Sequence, residues 1–456
     1  SPKRDDDSRD GKRPRRSYEN YEAITSAKKY AEAEWKEQQK RGKTRIMHLR
    51  PPGCSYLPVF IIHEAFNEMT QIIEQDEEFE APDYALLDAL LTEMGRAFRI
   101  EDKRRDAINK ILNNHLFINL NAPIGVANIA SGTTDGTSEE AGVNIEFKNE
   151  KGKGDCDPYL QNSAYYVHYW SDKGNVDEEE KKVRGPEKHC CPWILVEVLG
   201  QEMGLSGAVF ANGVPCVQPL TCNVPFLHAP MGKHLRKSQL RLCKALRVGA
   251  TRLRDWYSSP ERNVVSIQAQ FPYLRTYTDT NGMKVSFEYT KCLKGEGGSV
   301  FVAKRAGDAA DHILVKFVER YGEEVHRMLS DLGLAPKLLA VEKVHAVMMV
   351  VMDFESDAVI WDPVSAGAND ETNNQLKTIL EKLTEHSYVH GDMRSDNLLV
   401  CTGGKVKLID FDWAGKDGVV RYPVELNPAV KWHADASIGK VIRIEHDAFM
   451  TGQLMQ

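Results

Sequence analysis

The sequence predicts two folded units in tandem, an α/β domain followed by an α+β domain. Three observations carry that reading. Residues 59–75 and 83–115 read as helices, and short β-like runs then alternate with a single helix at 159–170. The stretch 232–254, with eight Lys/Arg and no acid, interrupts this texture. From residue 265 strands lead and helices follow, the order of an α+β unit.

A chain of 456 residues is long enough for two or three cores. The expected divisions are a basic N-terminal arm and helix at 1–50, the α/β domain at 51–231, a basic helical linker at 232–264 and the α+β domain at 265–456. The formal net charge is −7, yet residues 1–50 carry 15 Lys/Arg against 9 Asp/Glu. Within that arm KRPRR (Lys12–Arg16) is the kind of cluster that serves nuclear import or nucleic-acid contact, which makes the nucleus the expected location. No run of about 18 apolar residues appears, so no membrane partner is expected. The nine cysteines are scattered without a CxxC pair and read as free thiols. In the first domain LFINLN, VNIEFKN, WILVEVLG and GAVFANGVPCVQPL read as strands, and 152–158 as a turn.

VNIEFKNE (Val143–Glu150) puts Glu146 and Lys148 on one face of a strand and Ile145 and Phe147 on the other. A solvated ion-pair face is the plain reading of that alternation. Asp135 lies upstream with ten residues between it and Glu146. Two carboxylates from neighbouring strand ends can hold a hard cation such as Mg²⁺, and a lysine beside them can polarise a water nucleophile. Gln161 and Tyr165 share one face of the following helix through i, i+4 spacing. This set resembles the PD-(D/E)xK nuclease superfamily, and Gln161-x3-Tyr165 resembles the extra helix motif of its RecB-type branch. Thr134 stands where that motif usually has proline. The resemblance implies a restriction-endonuclease fold acting on DNA. Asp135 and Glu146 would then be metal ligands, Lys148 would assist the water, and Gln161 and Tyr165 would hold the site together. Some members add an acid from the first helix, for which Glu64 or Glu68 would serve, although both also read as surface residues. Nucleases of this type often pair two copies, so a homodimer lies within expectation.

HGDMRSDNLLV (His390–Val400) and KLIDFDWAG (Lys407–Gly415) are more specific. The first resembles the catalytic loop of protein kinases, with Gly391 in the arginine position. The resemblance implies an α+β bilobal kinase-like domain using ATP and Mg²⁺. Asp392 would receive the substrate hydroxyl's proton, Arg394 would be the basic residue beside the phosphate, and Asn397 and Asp410 would hold magnesium. Asp412 replaces the glycine of the DFG segment. Upstream, Gly295, Gly297 and Gly298 suit a hairpin whose backbone amides approach phosphates. Lys316 suits the lysine that reaches the α- and β-phosphates, with Glu324 as its helix partner and Glu323 as the alternative. MMVVMDFE would run into a hinge at Met352. No APE signature follows, and the C-terminal lobe is short.

The HGD-x-R-x-x-N loop and FDWAG, within roughly the last 190 residues, resemble the C-terminal region of crinkler effector proteins. That resemblance implies delivery into a target cell and action in its nucleus. The ubiquitin-like header of that family has no counterpart in the sequence, so the chain either starts after a header or is a free-standing relative. The expected function is a Mg²⁺-dependent DNA endonuclease joined to an ATP-dependent protein kinase whose protein substrate is unknown. The alternatives are a kinase whose first domain only binds nucleic acid, and a nucleotide-binding scaffold without activity.

Overall fold

The computed structural model describes residues 46–47, 57–75, 78–120, 134–148, 157–170, 185, 189–211, 213–227, 232–259, 271–293, 298–306, 312–362, 370–424 and 426–455. The arm with Lys12–Arg16 and the glycines Gly295 and Gly297 lie outside these residues. The chain divides into two compact units, Ser1–Leu274 and Arg275–Gln456, both of mixed α/β structure.

In the first unit, α1 (Val59–Ile62), α2 (Glu64–Glu74), α3 (Ala81–Met94) and α4 (Glu101–Leu116) precede the strands. β1 (Gly136–Ser138) and β2 (Val143–Lys148) lead to α5 (Pro158–Trp170), followed by β3 (Trp193–Leu199), β4 (Glu202–Ala211), β5 (Val214–Pro219), β6 (Val224–Pro225) and α6 (Gly232–Ser258). The sheet runs β1-β2-β3-β4-β5, with β6 added to β4. Only β2 and β3 pair in parallel among these described strands, joined by a crossover that includes α5. Helix α5 packs on one face of β2, β3 and β4, while α6 covers β3 and β4 from the other side. A sheet covered on both faces has buried residues in both alternating sets, and β2 and β3 are buried nearly throughout.

Several expectations need correction here. The helix expected at 83–115 is two helices, because the chain leaves α-helical geometry between Met94 and Glu101. The helix expected at 59–75 breaks at His63, which is extended (φ −139°, ψ 132°). Over its described residues, 116–120, LFINLN forms no strand: Leu116 ends α4, and Phe117 takes a left-handed conformation with φ 55°. The linker expected at 232–264 is instead α6, a core helix of the first unit, and the two units divide at 274/275. Its Leu242, Leu246, Ala250 and Leu253 are buried. At Gly249 an added Cβ would lie 2.4 Å from Met69 Sδ, so the bare backbone permits close approach to α2. Its cations are largely engaged within the unit. Arg247 pairs with Asp83 and Glu80, Arg252 with Glu68, and Lys244 and Arg254 donate to backbone carbonyls.

The second unit opens with β7 (Thr276–Thr278), β8 (Lys284–Cys292), β9 (Val300–Arg305) and β10 (His312–Val318). Then come α7 (Glu323–Asp331), β11 (Leu338–Val344) and β12 (Val347–Asp353). These strands form one antiparallel sheet in the order β11-β12-β10-β9-β8-β7. After β13 (Val359–Ile360), helix α8 (Asp370–Glu385) leads into the short strands β14 (Tyr388–Val389), β15 (Leu398–Val400), β16 (Val406–Leu408) and β17 (Gly415–Lys416), and α9 (Ile444–Leu454) closes the unit. A core containing Leu329, Leu376, Ile379, Leu383, Met393 and Phe411 gathers around α7 and α8.

Candidate functional sites

In the first unit, Asn144 of β2 donates to Asn162 of α5. Strand alternation therefore turns Glu146 and Lys148 toward the α5 side as well. Thr137 donates to Asn144, and Asn162 donates to the Val196 carbonyl at 3.1 Å. This buried polar chain fixes α5 across the parallel pair and so positions Gln161 and Tyr165, whose side chains bond at 2.9 Å (Gln161 Nε2 to Tyr165 Oη). Glu146 is fully buried, and its Oε1 meets no hydrogen-bond partner among the described residues. Burial holds its carboxyl well above the usual range, and the neighbouring Asp135 charge pushes it further up, while Lys148 acts in the opposite sense. Asp135 Oδ2 accepts from the Phe147 amide at 2.9 Å, and its backbone carbonyl accepts from Asn109. Lys148 Nζ donates to the Phe147 carbonyl at 2.9 Å. The structure thus brings Asp135, Glu146 and Lys148 together. Glu68 is paired with Arg252 at 2.6 Å, and Glu64 is exposed; both sit on α2, a helix that packs on α6 rather than on the α5 face.

A residue that sequence reasoning missed stands beside this set. Glu197 of β3 is the direct parallel partner of Glu146. It is buried, and its carboxyl is held well above the usual range by burial, with Asp157 adding in the same direction and Ser206 opposing. The only sequence signal was a single acid inside an otherwise apolar strand, WILVEVL.

In the second unit, Asp392 is linked to the residues expected beside it. Asn397 Nδ2 donates to an Asp392 carboxylate oxygen at 2.8 Å, and Arg394 Nε donates at 3.1 Å. Burial raises the Asp392 carboxyl, partly offset by Arg394 and Asn397. The loop is held by Asp447 of α9, which accepts the His390 amide at 2.6 Å and the Gly391 amide at 2.9 Å. Gly391 has φ 84°, and an added Cβ would lie 2.8 Å from Ile442, which accounts for glycine at this position. His390 Nε2 bonds the Ile409 carbonyl at 3.0 Å and so joins the loop to the segment carrying Asp410. Asp410 itself takes a left-handed conformation, φ 69°.

Lys316 corrects the expected pairing. Its Nζ donates to Asp410 and to Asp412, each at 2.6 Å, and to neither Glu324 nor Glu323. Helix α7 turns Val325, His326 and Leu329 inward, with His326 stacked on Phe411 at 4.4 Å. That register leaves Glu324 exposed, accepting from Tyr388 at 3.1 Å, and pairs Glu323 with Arg327. Gly298 is buried at the start of the β9 hairpin arm, and Met352 lies near the end of β12.

No group of three or more His, Cys, Asp or Glu among the described residues is arranged to hold a metal ion. Either carboxylate pair would therefore need carbonyl, water or phosphate oxygens to complete a cation's shell, as Mg²⁺ commonly does. No helix among them is long and apolar enough to cross a membrane. No protein-family model matches the chain, and no curated protein matches it.

Proposed function

We propose that the chain joins two activities: a Mg²⁺-dependent cut of the DNA backbone in the first unit and phosphoryl transfer from ATP to a protein hydroxyl in the second. The observation that carries the first is the buried contact of Asp135 with Glu146, with Lys148 acting on the same carboxyl. These residues fit a divalent cation, because Glu146 Oε1 is buried and unpartnered and two like charges meet there. Bound at Asp135 and Glu146, such a cation would acidify a water and neutralise phosphate charge. Lys148 orients the attacking water, and the Gln161–Tyr165 bond keeps the helix face in place. In the second unit Asp392, raised by burial and oriented by Asn397, accepts the hydroxyl proton. Lys316 would be the cation offered to the nucleotide phosphates, and Asp410 and Asn397 would hold a magnesium ion that neutralises phosphate charge. The Lys12–Arg16 cluster supports work in a nucleus, where a crinkler-like effector would damage DNA.

The test is cleavage of supercoiled plasmid with Mg²⁺ by the native chain and by Lys148→Ala, beside ATP labelling of protein with Asp392→Ala. Each substitution is expected to lower its own reaction about 100-fold or more and to spare the other. Equal cleavage by native chain and Lys148→Ala sinks the nuclease assignment. A second reading, in which the first unit binds DNA without cutting it, is favoured by the lack of a three-acid group among the described residues; it expects retention of DNA on both proteins and cleavage by neither.

A further inference from the structure

We infer that Glu197, with the amide oxygen of Asn223, forms a second divalent-cation position on the face that carries Asp135 and Glu146. The inference rests on the nuclease reading and adds to it a residue set outside the Asp-Glu-Lys pattern. Glu146 and Glu197 are Cα partners in the parallel β2–β3 pair, so their side chains leave the sheet on the same side, from strands about 4.8 Å apart.

Glu197 is 5% exposed. Its Oε1 has no hydrogen-bond partner among the described residues, and its Oε2 has only a long contact, 3.4 Å, from Ser206 Oγ. A carboxylate buried in that state is poorly compensated, and a cation is what compensates it. Asp157, exposed at the start of α5 with its Oδ1 accepting the Tyr159 amide at 2.9 Å, adds negative charge in the neighbourhood of Glu197.

Opposite Glu197 on β4 stands Gly204. A Cβ added there would lie 2.4 Å from Asn223 Oδ1 and 3.4 Å from Glu197 Oε2. The two oxygens thus border one small volume that any β4 side chain would fill. The donors are all oxygen, which selects hard cations such as Mg²⁺, Mn²⁺ or Ca²⁺ over zinc or copper. Two such cations on adjacent strands suit a phosphodiester, whose attacking and leaving oxygens can each be met by one.

The experiment counts Mn²⁺ bound to the full chain without nucleotide, read from the electron paramagnetic resonance of free Mn²⁺. Glu197→Gln is expected to remove one bound Mn²⁺ per chain. Asn223→Ala, an exposed change that leaves the core intact, should weaken the same position about tenfold or more. Glu146→Gln should remove a different Mn²⁺, so that the double variant loses two. If Glu197→Gln and Asn223→Ala bind as the native chain does while Glu146→Gln loses one, the second position is overturned and the nuclease reading stands. If all three variants match the native chain, both fall. Thermal melts of each variant confirm that it is folded.

Discussion

On the α5 face of the first unit, Glu146 and Glu197 each keep a buried oxygen without a hydrogen bond among the described residues, whereas in the second unit Asp410 and Asp412 both close on Lys316 at 2.6 Å. Glu146 and Glu197 are the more deeply buried, at 1% and 5% exposed against 27% and 28% for the side chains of Asp410 and Asp412, yet they are the acids left with an unpartnered oxygen. Lys148, the cation acting on Glu146, sends its Nζ to a backbone carbonyl instead. The first unit therefore leaves buried carboxyl oxygens without a hydrogen bond among the described residues, in surroundings that favour the protonated form. The second holds both of its acids on one internal cation, Lys316. Divalent cations should stabilise the first unit and barely affect the second in the absence of ATP.

The sharpest way to break this contrast is Lys316→Met, which removes the internal cation. Removing one partner of a buried pair costs about 3–5 kcal/mol, so urea unfolding of the second unit should shift by that amount. A shift under about 1 kcal/mol would mean that the aspartates carry no charge in the native state. The next effect is on pH. Burial lowers His326 and His390 to about 4, so the second unit gains stability as pH rises from about 4 to 6.5. Asp412 is raised to about 6 and Asp447 to about 7, mainly by burial. In that window the native aspartates hold protons that the unfolded chain has released, so each subtracts stability as pH rises. Asp447→Asn removes one descending contribution. The variant's stability should then climb between pH 4 and 6.5 more steeply than the native protein's, by roughly 1.4 kcal/mol per pH unit. Parallel slopes in urea titrations would show that Asp447 is not protonated natively. Smallest is Glu146→Gln, which removes a buried carboxyl crowded by Asp135. It should stabilise the first unit by about 1–3 kcal/mol in chelator, an advantage that Mg²⁺ erases. Equal melting temperatures under both conditions would remove the contrast.

Local patterns made part of this legible. Period-two alternation gave the faces of Val143–Lys148, and i, i+4 spacing gave the Gln161–Tyr165 bond. The HGD-x-R-x-x-N spacing brought Asp392, Arg394 and Asn397 into one hydrogen-bonded group. Glu197 was hidden because its meaning depends on parallel register with a strand on the far side of α5. Lys316 was assigned the wrong acids because both glutamates follow it in the expected order, while the rotation of α7 about its axis decides which residues face inward. In α6 the eight Lys/Arg suggested a solvated linker, whereas Leu242, Leu246 and Leu253 lie in the core. Asp447 holds a loop 56 and 57 residues away, a link that no local signal announces.

The bonds at the front of the first unit have a consequence for its assembly in time. The Val59 amide donates to Gln218 across 159 residues, Gln218 donates back to the Leu57 carbonyl across 161, and Met47 bridges Cys216. The first of the described helices of this unit therefore waits for nearly its last described strand. On a ribosome, α1 emerges long before β5 exists to receive it, and contacts of such separation close slowly. The acid face likewise needs β2, α5 and β3 together. A growing chain thus carries no finished cleft until its first unit is almost fully made, and a chain halted before Gln218 exposes apolar strand faces to chaperones and proteases instead.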